Sequence, residues 1–403
     1  MGKNRSNTKR MISVHKARTL LSQNVQEGKT EYIELSNCLG LTTAQDIFSP
    51  IDVPSFDNSA MDGYAMKFTG EQKKWKKGVE IQAGDTSEYI MDEGYAARIF
   101  TGAKIPTGAD TVIPQELIEN DKLTYEICYF QDNIRMGSNV RLKGSQCKKG
   151  DLILKKGTRI TPGIIGLLAS VGLEGVIAYL PPEVAYVITG DELKDVGEPL
   201  KTGEIYNSNG PMLEALLKES GIKNVKAFKA SDRKEELQQI INKALEQYEV
   251  LILSGGISVG DYDFVKECLQ KAGVEELFYK IKQRPGKPMF VGKKENKFVF
   301  ALPGNPGSVL NCFYQYVKPC LRMMMGVKNA WQPNRMLPLA KDQQKKAGLT
   351  FFVKSKISDE KIDVLGAQQS FNLQAFSEAN CVVELDEEKE IVPAGTLVPV
   401  FYF

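Results

Sequence analysis

The chain has one histidine, His15, in 403 residues. A catalytic triad built on any other histidine, or a metal centre of several imidazoles, is excluded. Seven cysteines are present, Cys38, Cys128, Cys147, Cys268, Cys312, Cys320 and Cys381, but they are scattered and form no CxxC pair. That argues against a zinc ribbon or a disulfide framework and for reduced thiols in a cytoplasmic protein. Neither charge sign dominates: Lys plus Arg is 52, Asp plus Glu is 50, and the formal net charge is +2. Bulk binding of nucleic acid or another polyanion is disfavoured, a local basic patch excepted. No membrane-length apolar run exists, since the uncharged stretch 298–317 is broken by Pro303, Gly304, Asn305, Pro306 and Gly307. The first 26 residues are basic and free of acids but lack the apolar segment of a signal peptide. The tail before Met11 is expected to be disordered or a non-native extension. No Walker A loop is present, and no GxGxxG follows a strand pattern. Chemistry is left to carboxylates, Lys, Arg, hydroxyls and backbone amides.

What is present is an ordinary globular mix, 42% apolar and 25% charged, long enough for two to four domains. Ser13 followed by Val14, Ala17, Leu21 and Val25 predicts a capped amphipathic helix. Short strand-like runs at 79–83, 95–100 and 123–129 predict a β-rich region. The apolar stretch 161–172, with Pro162 in its first turn, predicts a helix that returns to pack on the N-terminal one. These readings give a small linking domain at 11–45 plus 156–180, with a β-rich domain at 46–155 inserted in it. From Pro181 strands and helices alternate, predicting an α/β domain at 181–326 with helices on both faces of its sheet. Its strands are expected at 183–189, 225–229, 250–253, 277–282 and 297–302. Its helices are expected at 209–220, from an Asp232/Glu235 capping box to 248, at 261–272, and from Asn305-Pro306 to 324. Strand patterns at 350–354, 361–365, 381–385 and 396–402 predict a C-terminal β domain at 327–403.

In open α/β sheets ligands bind outside the carboxyl ends of the strands. The informative segments fall there: Thr189-Gly190-Asp191-Glu192, Asp232, the run from Ser254, Gly255 and Gly256 through Ser258 and Gly260 to Asp263, Arg284 to Lys287, and Pro303 to Pro306. A glycine turn exposing amides at a helix start suits an oxyanion. Neighbouring carboxylates would repel that anion unless a cation such as Mg²⁺ bridges them. Arg284 and Lys287 add charge suited to a diphosphate. Each piece also has a plain reading: Gly255-Gly256 as a turn, Asp232 as a helix cap, Asp191 and Glu192 as a solvated pair, Arg284 and Lys287 as surface charges, Pro303 and Pro306 as a rigid turn. Their convergence on one sheet edge favours a metal-assisted phosphate site. A second constellation runs from Asp57 through Asp62 to Ala65, with Thr101-Gly102-Ala103. There Met61 and Tyr64 read as core, and Asp57 and Asp62 as turn formers or as an acidic, hydroxyl-lined face.

The segments PSFDNSAMDGYA (54–65), RIFTGAKIPTGADTVIPQE (98–116), GDLILKKGTRITP (150–162), TGDEL (189–193), GEIYNSN (203–209), SGGISVGDYDFVK (254–266), RPGKP (284–288) and LPGNPGSVL (302–310) occur in this order. In them the chain resembles the molybdopterin molybdenumtransferases, related to the E domain of gephyrin. The resemblance implies an α/β multidomain fold: a doubly wound, molybdopterin-binding-like domain, an inserted β-rich domain, a linking N-terminal domain and a C-terminal β domain. It implies insertion of molybdate into adenylylated molybdopterin, with Mg²⁺-dependent cleavage of the adenylate and release of molybdenum cofactor and AMP. Water or a molybdate oxygen would be the nucleophile. It implies a homodimer whose site pairs the α/β domain of one subunit with the inserted domain of the other. It places Asp62 and Thr101 on the inserted side, and Glu192, Asp232 and Asp263 on the α/β side, with Glu192 and Asp263 as metal ligands. Ser254, Gly255, Gly256, Ser258, Gly260, Arg284, Lys287, Pro303 and Pro306 would hold the substrate. Transient contact with the adenylyltransferase and with apo-molybdoenzymes is implied; nucleic acid and membrane are not. Two departures stand out: Gln146 where the family usually has an acid, and Gly307 where it usually has Val. The alternatives are a molybdopterin adenylyltransferase, which needs neither the inserted nor the C-terminal domain, and a non-catalytic scaffold of gephyrin type.

Overall fold

The computed structural model describes residues 11–120, 126–130, 133–257 and 264–403. The tail before Met11, the beginning of the strand expected at 123–129, and the positions Ser258, Gly260 and Asp263 lie outside the described residues, as does the expected helix start at Asp261. The chain divides into two compact units. One comprises the chain up to Glu31, Gly40–Ala44 and Ile177–Phe403; the other comprises Tyr32–Leu39 and Gln45–Val176.

The first unit is built on a six-stranded sheet: β1 (Val184–Thr189), β2 (Val225–Ala230), β3 (Val250–Ser254), β4 (Glu275–Tyr279), β5 (Phe290–Lys294) and β6 (Lys297–Leu302). Their order is β2-β1-β3-β6-β5-β4. The first four of that order are parallel, and β5 and β4 are antiparallel to their neighbours. Every residue of β1 and β3 is buried, which is why they read as continuous apolar runs rather than alternating ones. Alternation survives in where each side chain goes. Val184, Tyr186, Val250, Ile252, Phe298 and Phe300 share one core with Leu213 and Leu217 of the helix Asn209–Glu219. Ala185, Val187, Leu251, Leu253, Val299 and Ala301 share the other with Leu237 and Ile241 of Lys234–Gln247 and Leu269 of Val265–Lys271. The sheet is covered on both faces, as the alternating pattern requires.

Several expectations are corrected. The N-terminal helix, Val14–Asn24, starts at Ser13, whose hydroxyl accepts from Lys16 N at 3.2 Å. Its stripe of Val14, Ala17 and Leu21 is buried in the α/β core, the larger apolar surface. The helix Pro162–Ser170, capped by Thr161, packs instead on the turn Leu35–Asn37 of its own, second unit. Asp232 does not cap the helix after β2: that helix begins at Lys234 with Arg233 at the cap position, and Asp232 N donates to Asp191 Oδ1 at 3.2 Å. Strand β5 is absent from the expected set. It pairs with β6 across the two-residue turn Glu295-Asn296, where Glu295 takes a φ of 55°. The helix expected from Asn305-Pro306 to Met324 is interrupted by a π turn at Phe313–Val317. Pro319 supplies no N–H to the carbonyl one turn earlier, and the indole of Trp331 takes that acceptor, donating to Gln315 O at 2.8 Å.

The C-terminal sheet of this unit orders Gln283–Arg284, Thr350–Ser358, Cys381–Leu385, Leu397–Tyr402 and Arg335–Pro338. Its first strand comes from the α/β region: Gln283 and Arg284 pair in parallel with Thr350 and Phe351.

The second unit holds another six-stranded sheet, ordered Thr111–Pro114, Gly63–Met66, Tyr95–Ile99, Lys74–Ile81, Glu126–Cys128 and Glu119–Asn120. Met66, Trp75, Ile113 and Tyr129 fill one of its cores, and Ala65, Ile81, Ala97, Ile99 and Val112 the other. Tyr64 belongs to the first core, as expected. Met61 does not. It is 42% exposed, in a turn whose Ser59 hydroxyl donates to Met61 O at 2.5 Å.

Candidate functional site

The carboxyl ends of β1, β3 and β6 open on one pocket of about 530 Å³. It is lined by Thr189, Gly190 and Glu192 after β1, by Asp232 after β2, by Ser254 to Ile257 after β3, and by Pro303, Gly304 and Asn305 after β6. Parallel pairing of β1 with β3, and of β3 with β6, puts these segments side by side although over a hundred residues separate the first from the last. Glu192, Asp232, Ser254, Gly255, Gly256 and Pro303 of the expected set are thus brought together. Arg284, Lys287 and Pro306 lie outside this lining, though Pro288 is part of it. Arg284 is exposed, its guanidinium 5.6 Å from the centre of the Phe351 ring, and Lys287 is exposed.

The two glycines of the Ser254–Ile257 turn have φ of +99° and +62°. The turn crosses directly over the end of β1: a side chain on Gly255 would sit 2.7 Å from Thr189 O. The helix start after β6 is a different case. Pro306 has no N–H, Gly307 N donates to Ser370 O, and Ser308 N and Val309 N both donate to Asn305 O. Its first amides are satisfied within the protein; in the glycine turn after β3, Gly255 N donates to Leu302 O at 3.3 Å.

In the second unit, antiparallel pairing of Gly63 with Ile99 sets the residue before one strand against the residues after the other. Thr101 N and Thr101 Oγ1 both donate to Asp62 Oδ1, at 2.8 and 2.7 Å. These bonds, the backbone one foremost, hold the Asp62 carboxyl below its ordinary range, with a smaller contribution from the charge of Arg98. The stability from this clasp is complete above the unfolded carboxylate value and is lost as pH falls through the lower folded value. In Thr101→Val only the backbone bond survives. The Asp62 midpoint, followed by carboxyl NMR, is expected to rise toward the ordinary value of about 3.9; an unchanged midpoint would remove the hydroxyl from the account. Asp57 is a loop clasp, with its Oδ1 accepting from Lys143 N at 2.7 Å.

Residues 12–172 match the family described as "MoeA N-terminal region (domain I and II)", 185–323 that described as "Probable molybdopterin binding domain", and 336–403 "MoeA C-terminal region (domain IV)". A molybdopterin molybdenumtransferase of Haemophilus influenzae is 36% identical over 402 residues, covering 97% of this chain and 98% of its own. One from Staphylococcus epidermidis is 34% identical, covering 96% and 95%. The crystal structure of a molybdopterin biosynthesis moeA protein from Pyrococcus horikoshii OT3 superposes with a TM-score of 0.84 at 26% identity, over 98% of this chain and 100% of that one.

The chain belongs to the molybdopterin molybdenumtransferase family. This is a family of enzymes, and the fold expected from the resemblance is the one found. Of the two positions expected to depart from the family's usual residues, Gln146 is exposed, with Nε2 3.4 Å from Ser170 Oγ. Gly307 is buried beneath Ser370: a Cβ there would lie 2.8 Å from Ser370 O.

The pocket also uses residues to which the sequence assigns no role of their own. Asn209, 9% exposed at the start of its helix, donates from Nδ2 to Ser254 Oγ at 3.0 Å and to Gly304 O at 2.8 Å. Because Gly304 O only accepts, the amide orientation is fixed, and Oδ1 is left buried without a partner. Thr189 Oγ1, beside it in the lining, is likewise buried and unpartnered. Leu193, Ile205, Ile257 and Pro288 supply an apolar wall. The sequence signal for Asn209 is its place in NSN at a helix start, which reads equally well as capping.

All seven cysteines are buried, and none is in a disulfide. Among the described residues no helix is long and apolar enough to cross a membrane.

Proposed function

We propose that this enzyme transfers molybdenum to molybdopterin in molybdenum cofactor biosynthesis. Its substrate would be the adenylylated form, cleaved to release AMP. The observation that carries the proposal is the pocket at the ends of β1, β3 and β6, where two carboxylates, a glycine turn and an apolar wall meet. A pterin and a nucleotide joined by a diphosphate offer flat rings for such a wall and oxyanions for such a turn.

Mg²⁺ suits this donor set. Among the described residues no three His, Cys, Asp or Glu gather as a cage. Magnesium, however, is typically held by one or two carboxylates together with phosphate oxygens. Glu192 and Asp232 would hold it, with Asp263, on the resemblance, as a further ligand. Bound there, it would offset the diphosphate charge and polarise phosphorus toward attack. The amides of Gly256 and Ile257, beyond the Gly255 N–H that donates to Leu302 O, would orient oxyanions, and Arg284 and Lys287 would add positive charge near Pro288. The only histidine, His15, is exposed on the N-terminal helix, so proton handling falls to the carboxylates. The proposal extends to a homodimer, in which Asp62 and Thr101 serve the reaction, and to a cytoplasmic setting, which the free thiols favour.

The test is to incubate the purified chain with adenylylated molybdopterin and follow AMP, with and without molybdate and Mg²⁺. AMP release that requires both supports the proposal. Consumption of ATP with formation of the adenylate would replace it with the adenylyltransferase reading.

A further inference from the structure

The wall Pro303–Asn305 is gripped from the C-terminal domain. Gly307 N donates to Ser370 O at 2.8 Å, and Asn305 Nδ2 donates to Ser370 Oγ at 3.2 Å. The loop carrying Ser370 has no regular structure of its own, and a buried lysine bonds three of its carbonyls. Lys354, in the strand Thr350–Ser358, is only 6% exposed. Its Nζ donates to Ala367 O at 2.7 Å, Asn372 O at 2.9 Å and Gln369 O at 3.3 Å. The backbone of Lys354 makes a second tie: its N donates to Gln368 Oε1 at 3.0 Å, and Gln368 Nε2 returns to Lys354 O at 2.9 Å.

An ammonium has three N–H groups and must satisfy them when it leaves water. Here three carbonyls of one loop do so. Burial pushes the Lys354 ammonium below its ordinary range, which is the cost the three carbonyls offset. The same strand also pairs with Gln283 and Arg284, which open the segment leading to Pro288 in the pocket lining. Gly307 completes the device, because any side chain there would drive Ser370 O away.

We propose that Lys354 is a positioning residue of the pocket: by gathering the loop Ala367–Asn372 it seats Ser370 on Gly307 and Asn305, and so fixes the wall Pro303–Asn305 against which the substrate lies. This deepens the reading above and rests on it only for its kinetic consequence.

Two measurements test it, one of them independent of any activity. In Lys354→Met, hydrogen exchange of the Gly307 amide is expected to rise about tenfold or more, while amides of β1 and β3 keep their protection. With adenylylated molybdopterin, KM is expected to rise about tenfold with kcat within about twofold, the pattern of a displaced binding wall. Ser370→Ala, which removes the bond to Asn305 but keeps the carbonyl that holds Gly307 N, should show a smaller rise in KM and add little on top of Lys354→Met, since both act through the seating of Ser370. Uniformly faster exchange across the unit with KM unchanged would reduce Lys354 to a structural residue and overturn the proposal, as would fully additive effects of the two substitutions. Should Lys354→Met not fold, Gly307→Ala lifts the same loop from the other side; protection and KM both unchanged in it and in Ser370→Ala would overturn the proposal equally. If the wild-type chain turns over no substrate, the functional reading fails by itself, and the exchange of the Gly307 amide decides the positioning role.

Discussion

Glu192→Gln is expected to lower molybdenum insertion by about two to three orders of magnitude while leaving the fold unchanged. The substitution keeps the shape of the side chain and removes only its charge. Glu192 is an exposed residue that lines the pocket beyond β1. An exposed glutamate with no role beyond solvation would change stability by about 0.5 kcal/mol or less and turnover not at all. A carboxylate that helps hold a cation against a diphosphate contributes where charge develops, and losing such a group costs about 3–4 kcal/mol of barrier. The two accounts therefore differ by a factor of hundreds, well beyond assay error. Asp232→Asn should behave similarly on the proposed reading, and the double variant should be little worse than either, because two carboxylates that held one cation would fail as a unit. The measurement is the rate of AMP release as a function of Mg²⁺. Raising Mg²⁺ should recover part of the loss in either single variant; full activity of Glu192→Gln at low Mg²⁺ would take the carboxylate out of the chemistry.

The parts of this site legible in the sequence are those that chain geometry alone could place. Strands such as Val184–Thr189 and Lys297–Leu302 declare themselves by apolar runs, and the loops that follow must then fall at one sheet edge. Which residues of a loop face the ligand depends on contacts made by other chain segments. Asp232 reads as a cap because its spacing to Glu235 fits the pattern, yet Asp191 takes its N–H and the helix starts later. Asn209 reads as a helix opener, and its ties to Ser254 and Gly304 appear only once β3 and β6 are adjacent. The N-terminal helix shows the same limit in the core. Its apolar stripe announces burial but not the surface it buries against. Strand β5 is recoverable in principle, since two apolar runs separated by two residues signal a hairpin, but Glu295 in place of the usual Asn or Gly weakens that signal.

The same dependence on remote contacts makes Gly255→Ala the most damaging small substitution in the pocket. Gly255 follows β3 with φ at +99°, a conformation that costs an L-residue about 1–2 kcal/mol by itself. The added methyl would also lie 2.7 Å from Thr189 O and 2.8 Å from Thr189 Oγ1. Thr189 closes β1, paired on one side with Ala230 and bordered on the other by β3, so the carbonyl cannot swing aside; the turn must lift instead. Relieving such overpacking adds about 1–3 kcal/mol. Gly395→Ala isolates the first cost, because Gly395 has φ at +80° and a methyl added there would meet nothing within 4 Å. Chemical unfolding should therefore rank the loss in Gly255→Ala above that in Gly395→Ala. Function should separate them further. On the proposed reading, lifting the Ser254–Ile257 turn by about an ångström would misplace its oxyanion donors, a displacement worth about a hundredfold in rate. Gly395→Ala, far along the chain from any pocket residue, should keep wild-type turnover. Equal stabilities for the two variants, or an active Gly255→Ala, would mean that the close crossing of β1 by this turn does not set the geometry of the site.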